Sequence, residues 1–281
     1  MIRDARQLKA KIQQLANGDS LKSQIYLRNF FMERFLERIS ISPYRTSFVL
    51  KGGWLIASLV GLDLRSTMDI DSTVRNMSLD LEAGREIILE IINVQLKDDV
   101  AFIISKGSEI MEEHDYPGIR FVLQGKFDGI QQAIRLDLST GDAITPRAIS
   151  YEYKLMFEER SINLMTYNIE TLIAEKLETM ITRGTANTRM RDFYDVYILT
   201  KEKDFDLFVL KKALLNTSKK CGTESILKDY KVIMHDVAES SIMESAWENF
   251  VNQSYFAEGL MWDSVSQACI CLSERVLSEE L

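Results

Sequence analysis

The residues with the clearest chemical potential lie between positions 51 and 71, in the segment KGGWLIASLVGLDLRSTMDID. Gly52 and Gly53 follow a short β-prone stretch and precede a helical pattern. The first amides of a helix have no intrahelical acceptor, so such a turn can hold a phosphate, and glycine lets that phosphate come close to the backbone. Thr67 to Val74 (TMDIDSTV) alternates with period two, which places Asp69 and Asp71 on one face of a strand. Two carboxylates at that spacing suit magnesium carried by a triphosphate. Two metals roughly 3.5–4 Å apart would stabilise the attacking and leaving oxygens of an in-line displacement. A later alternating segment, AIRLDLS, puts Arg135, Asp137 and Ser139 on one face. Asp137 there is a third metal ligand, a surface residue, or the partner of Arg135 or Arg120.

Around these residues the pattern predicts a helix over residues 5–16 and a second one capped by Asp19-Ser20 and stopped before Pro43. A strand is expected over Thr46 to Leu50, a short helix over Trp54 to Val60, and a helix over Leu79 to Leu96. Strands are expected at Val100 to Ser105, Ile119 to Leu123, Ala133 to Ser139 and Tyr151 to Phe157, with Tyr116-Pro117-Gly118 as a turn. From Asn168, a capping residue, the chain reads as helical: to Thr182, then about Arg189 to Thr200, then 205–279 with a break near Lys219–Gly222. Phe205, Phe208, Trp247, Phe250 and Trp262 are expected in the core of these helices. The fold class is α+β: a mixed β-sheet flanked by helices, followed by a helical C-terminal region. The expected divisions are a helical arm over 1–45, an α/β core over 46–160 and a helical domain over 161–281.

Composition narrows the function classes. The chain of 281 residues is 46% hydrophobic and 27% charged, with a net charge of −8. Three cysteines without a CxxC pair argue against a disulfide framework, and two histidines far apart argue against a histidine zinc site. The polar, periodic N-terminus is unlike a signal peptide, and no apolar run is long enough for a membrane. The cytoplasm is the expected compartment. An acidic chain is no nucleic-acid coat protein, although a local basic site is compatible with it.

The order strand, Gly-Gly, helix, then Asp-x-Asp, then a distant Asp resembles the polymerase-β-like nucleotidyltransferase superfamily. Four segments resemble more closely the AbiEii-type toxins, the nucleotidyltransferase half of type IV toxin–antitoxin pairs. They are Lys51 to Leu55 with Arg65 to Asp71, the Asp137 strand, ETLIAEKLETM with Lys176, and RMRDFYDVYIL with Asp192 and Asp195. The resemblance implies a nucleotidyltransferase core in which Lys51, Gly52, Gly53, Arg65, Thr67 and Asp195 belong to the nucleotide site. Asp69, Asp71 and Asp137 would hold magnesium. Lys176 would contact the triphosphate, and Asp192 would support the pocket beside it. Many members of the superfamily carry serine after the first glycine; Gly53 leaves only backbone donors.

Read without the resemblance, Lys176 is an ordinary solvated helix lysine, and Asp192 is a partner of Arg189, of Arg191 or of the helix N-terminus, where acids are favoured. Arg183, Arg189 and Arg191 are either a solvated stretch or contacts to a triphosphate or RNA backbone. The expected activity is transfer of a nucleoside monophosphate from an NTP to RNA, with tRNA 3′ ends foremost. A toxin role implies an antitoxin partner, expected to be a winged-helix regulator. Two other readings stay open: nucleotide transfer to a protein hydroxyl, and a degenerate module that binds a partner without catalysis.

Overall fold

The strands, in chain order, are β1 (Phe48–Lys51), β2 (Asp69–Val74), β3 (Ala101–Ile110), β4 (Gly118–Phe127), β5 (Ile130–Thr140), β6 (Ile149–Lys154) and β7 (Ser161–Thr166). They form one mixed sheet in the order β3-β4-β5-β2-β1-β7-β6. β2 runs antiparallel to β1 and parallel to β5; β1 and β7 are also parallel. The computed structural model describes residues 2–110 and 118–278. Tyr116 and Pro117 of the expected turn lie outside the described residues, and Gly118 opens β4.

The chain divides into two compact units. The first holds Met1–Ser58, Ser66–Gly141 and Ile149–Thr166; the second holds Leu59–Arg65, Asp142–Ala148 and Tyr167–Leu281. In the first unit, period-two alternation sorts the side chains of the sheet. Ile134, Leu136 and Leu138 of β5 pair with Leu123, Phe121 and Ile119 of β4, and all six are buried. Burying a side chain of this size stabilises by about 1.5–3 kcal/mol. This apolar face is covered by two helices, α2 (Ser20–Ile41) and α4 (Leu81–Ile92). Gly125 is needed for that packing, since a Cβ there would sit 2.3 Å from Phe31 of α2. The opposite face therefore carries Asp71, Asp137 and Arg120.

Each of the first helices begins where the sequence offers a cap. Asp4 accepts from Gln7 N–H at the start of α1 (Ala5–Ala16), Asp19 from Leu21 and Lys22 N–H at α2, and Asp80 from Ala83 N–H at α4. The last is why α4 starts later than the pattern predicts. α2 is more deeply buried than an amphipathic helix. Its Glu33, Arg34, Glu37 and Arg38 are all inside. Arg38 makes a two-pronged pair with Asp98 at 2.9 Å on each side; Arg34 pairs with Glu37 and Glu158, and Arg160 with Glu37 and Glu158. Buried charges persist only when paired in this way.

β6 starts and ends earlier than expected, at Ile149–Lys154, and β7 is a strand that the pattern does not predict. Its Ser161-Ile162-Asn163-Leu164 alternates but offers only two strong apolar residues, and its strand conformation depends on pairing with β1 and β6.

The second unit is helical: α5 (Ile169–Arg183), α6 (Met190–Glu202), α7 (Leu207–Cys221), α8 (Tyr230–Glu239), α9 (Ser241–Gln253) and α10 (Trp262–Leu277). The remaining helix, α3 (Gly52–Val60), starts in the first unit and ends in the second. Asn168 caps α5 by accepting from Thr171 N–H at 2.8 Å, and Gly222 ends α7 in the left-handed region. Trp247 and Trp262 form an aromatic core with ring centroids 5.8 Å apart. Phe208 departs from expectation: it is 66% exposed, because α7 turns Leu210, Ala213 and Leu214 inward and leaves Phe208 on the other side. Among the described residues no helix is long and apolar enough to cross a membrane.

Candidate active site

The first unit brings the Gly-Gly turn and the carboxylates together through strand register. Lys51, the last residue of β1, lies opposite Asp71 of β2; Asp71 lies opposite Asp137 of β5; and Asp137 lies opposite Arg120 of β4. Directly opposed residues share a face, so four charges form a row across four adjacent strands. Asp69 stands one step along, opposite Arg135.

Gly52 opens α3 with φ of 62°, and a Cβ there would lie 2.3 Å from Asp71 Oδ2. Glycine is thus required twice, by the left-handed backbone and by the carboxylate. Gly53 N–H donates to the same Oδ2 at 3.3 Å. The amide turn expected to cradle a phosphate here receives a carboxylate oxygen, which shows that it accepts an anion. The hydroxyl of Thr67 accepts from Asp69 N–H at 3.4 Å and so fixes the start of β2.

The electrostatics are strained on the acidic side. Burial, then the neighbouring Asp137 carboxylate, push the Asp71 carboxyl up to about 6; Asp69 adds to this, while Lys51 and the Gly53 amide oppose it. Asp137 is held at both oxygens by Arg120, at 2.7 Å from Nε and 2.6 Å from Nη2, and that bond holds the Arg120 pKa above its usual value. Arg135 Nη1 stands 3.6 Å from Asp69 Oδ1. Sequence reasoning missed Arg28 of α2. Burial lowers its pKa; Asp69 opposes the shift and Arg135 reinforces it, which places all three within reach of one another's charge. Nothing in the local pattern of α2 distinguishes this arginine from any other helical one.

Two carboxylates beside an anion-accepting turn fit magnesium, which is commonly held by one or two carboxylates plus substrate phosphates. A cation would also relieve the repulsion that burdens Asp71. Among the described residues no group of three His, Cys, Asp or Glu side chains is arranged to hold a metal, and Asp137 is engaged by Arg120. Asp69 and Asp71 are the pair that fits.

The second unit contains a separate charged cluster. Asp192 and Asp195 are three apart on α6 and share a face. Lys176 of α5 reaches both, at 2.6 Å from Asp192 and 2.8 Å from Asp195. Burial works against the Lys176 ammonium, but the two carboxylates outweigh it and hold its pKa above the usual lysine range. Arg65 holds Asp195 from the other side, with Nε–Oδ1 at 2.6 Å and Nη2–Oδ2 at 3.1 Å. Burial opposes the Asp195 carboxylate as well, yet Arg65 and Lys176 keep it ionised below the usual range. Arg65 and Asp195 are 1% and 0% exposed.

The family profile described as "Nucleotidyl transferase AbiEii toxin, Type IV TA system" matches residues 34–268. The chain belongs to the AbiEii family. It is therefore a nucleotidyltransferase of the toxin kind, and its family implies an NTP substrate and an antitoxin partner. This AbiEii protein is similar to two solved structures from Helicobacter pylori. One is described as a candidate nucleotidyltransferase, at 16% identity and TM-score 0.53, covering 90% of this chain and 94% of that one. The other is JHP933, at 16% identity and TM-score 0.52, covering 90% of this chain and 91% of that one. At such identity the likeness is one of fold. No curated protein matches the chain.

Proposed function

We propose that this AbiEii nucleotidyltransferase transfers a nucleoside monophosphate from a magnesium-bound NTP to an RNA hydroxyl, breaking the α–β phosphate bond and releasing pyrophosphate, with tRNA 3′ ends as the foremost acceptor. The observation that carries the reading is the Asp69-x-Asp71 pair on β2, with Asp71 packed against the Gly52-Gly53 turn. Magnesium, when bound, would neutralise the triphosphate and favour the ionised form of the attacking hydroxyl. Asp69 and Asp71 would hold it, with Asp137 as a third carboxylate once Arg120 lets go. The amides at Gly52-Gly53 would bind phosphate oxygens once Asp71 turns to the cation. Lys51 adds a positive charge beside them. Lys176 is assigned the triphosphate charge by the family resemblance, and Asp192 and Asp195 hold that lysine extended and ionised. In the cell the activity would be toxic until an antitoxin, in our reading a winged-helix regulator, counters it.

The test is incubation with each labelled NTP, magnesium, total RNA and cell extract. Label in RNA that disappears with EDTA and in Asp69→Asn supports the reading. Label in protein alone would replace it with protein nucleotidylation, which the net charge of −8 favours because a polyanionic acceptor is repelled outside a local basic site.

A further inference from the structure

The turn between α5 and α6 gathers three features that are each unfavourable alone. The first is Asn187. It is 2% exposed, its Oδ1 accepts from Arg189 N–H at 2.8 Å, and its Nδ2 has no hydrogen-bond partner. A buried donor left without an acceptor costs about 1–3 kcal/mol. Because Oδ1 is fixed by the backbone at the start of α6, Nδ2 on the same amide is held beside that helix N-terminus.

The second feature is a concentration of like charge. Arg183 ends α5 and Arg189 immediately precedes α6. Burial and the charge of Arg189 both disfavour the Arg183 guanidinium, with Asp192 opposing them. The sequence from Arg183 to Arg191 contains no acid. The third is helix polarity: Arg189 and Arg191 stand at an N-terminus, where the aligned peptide dipoles favour anions and disfavour cations. Folding has thus brought an unused donor, clustered guanidiniums and a positive helix end to one place on an acidic protein. A single oxyanion would give the Asn187 amide its acceptor and meet the positive helix end.

We propose that Arg183, Asn187, Arg189 and the first turn of α6 form a phosphate-binding site. Asn187 Nδ2 and the guanidiniums donate to phosphate oxygens, a geometry arginine suits through paired N–H groups. The phosphate belongs either to the backbone of the acceptor strand or to the nucleotide. Only the identity of that source rests on the transfer activity proposed above.

The site is tested by binding, not turnover. A fluorescent single-stranded oligouridylate and a non-hydrolysable ATP analogue are titrated against the full-length protein over a range of salt. The variants are Asn187→Asp, which keeps the acceptor for Arg189 N–H and puts a carboxylate where the donor was, and Arg183→Ala/Arg189→Ala. Thermal unfolding confirms that each is folded, and the arginine variant decides the matter should Asn187→Asp not fold. Oligouridylate binding is expected to weaken at least ~10-fold, with the salt slope flattened by about 0.7 for each arginine removed. Weakened binding of the ATP analogue alone would keep the site and assign its phosphate to the nucleotide. Unchanged binding of both probes in folded variants, or a wild type that binds neither, overturns the site. Binding that depends on these residues without any transfer of label would leave the site standing and remove only the proposed activity.

Discussion

The Oδ2 atom of Asp71 occupies the space that a Cβ on Gly52 would need, only 2.3 Å from its ideal position. The turn and the carboxylate are therefore fitted to each other, and the glycine pattern is a steric requirement of the strand beside it. Gly52→Ala must also adopt φ near 62°, which costs an L-residue roughly 1–2 kcal/mol. The variant is expected to unfold at lower temperature and to lose transfer by about 100-fold, the scale of an ångström-sized misplacement in a site. Thermal unfolding and labelled-NTP transfer measure the two effects; an unchanged rate would mean that Asp71 does not work from this position.

Asp195 and Asp192 both bind Lys176, yet they should fail differently when removed. Asp195→Ala leaves Arg65 and Lys176 buried beside an absent partner, and breaking a buried ion pair from one side costs about 3–5 kcal/mol. Asp192 is 15% exposed at its side chain, and its loss leaves Lys176 still bound to Asp195. Asp192→Ala is therefore expected to cost clearly less stability than Asp195→Ala while lowering transfer. Urea unfolding alongside the transfer assay separates the two. Equal destabilisation by both substitutions would contradict the division of labour.

Glu33 gives the fold a pH dependence. Burial raises its carboxyl to about 7, against the lowering effect of bonds from Tyr153 and Met156 and the charge of Arg34. A raised folded-state pKa means that the native protein holds this proton when the unfolded chain has lost it. Its contribution is complete below the unfolded value of 4.5 and is lost as pH rises towards about 7. Across that window Glu33 should lower stability by on the order of 3 kcal/mol, partly offset by other groups. Glu33→Gln, which keeps an acceptor for Tyr153 and Met156, is expected to flatten the curve of unfolding free energy against pH in that window. A curve of unchanged slope would place the titration elsewhere.

The sequence was most legible where one period decided the structure. Asp69 and Asp71 could be put on one face of β2, and Asp137 beside Arg135 on one face of β5, because both strands alternate without interruption; the β2–β5 register then set Asp71 opposite Asp137. Asn168 announced α5 because a cap works through its own backbone. Pairing across distance was less legible. Arg120 and Arg135 were equal candidates for Asp137, and only the β4–β5 register chose Arg120. The buried charges of α2 are balanced by Asp98, Glu158 and Arg160, more than fifty residues away. Arg28 and the unsatisfied amide of Asn187 have no local signature at all, since neither proximity to Asp69 nor the lack of a partner is written in spacing.

That register choice leads to a last expectation. Arg120 grips both oxygens of Asp137, so the carboxylate opposite Asp71 is aimed by the arginine as well as by its own strand. If Arg120 acts on catalysis through Asp137, the effects of Arg120→Ala and Asp137→Asn on transfer will not add. A double-mutant cycle should then show a coupling of about 1–2 kcal/mol, because residues in direct contact share their losses. Arg120→Lys should recover only part of the activity, since a single ammonium cannot reproduce a two-pronged bond. Full additivity would instead make Arg120 an independent contributor, for instance through its exposed edge to the acceptor. In that case Arg120→Lys would restore charge-dependent binding even in the Asp137→Asn background.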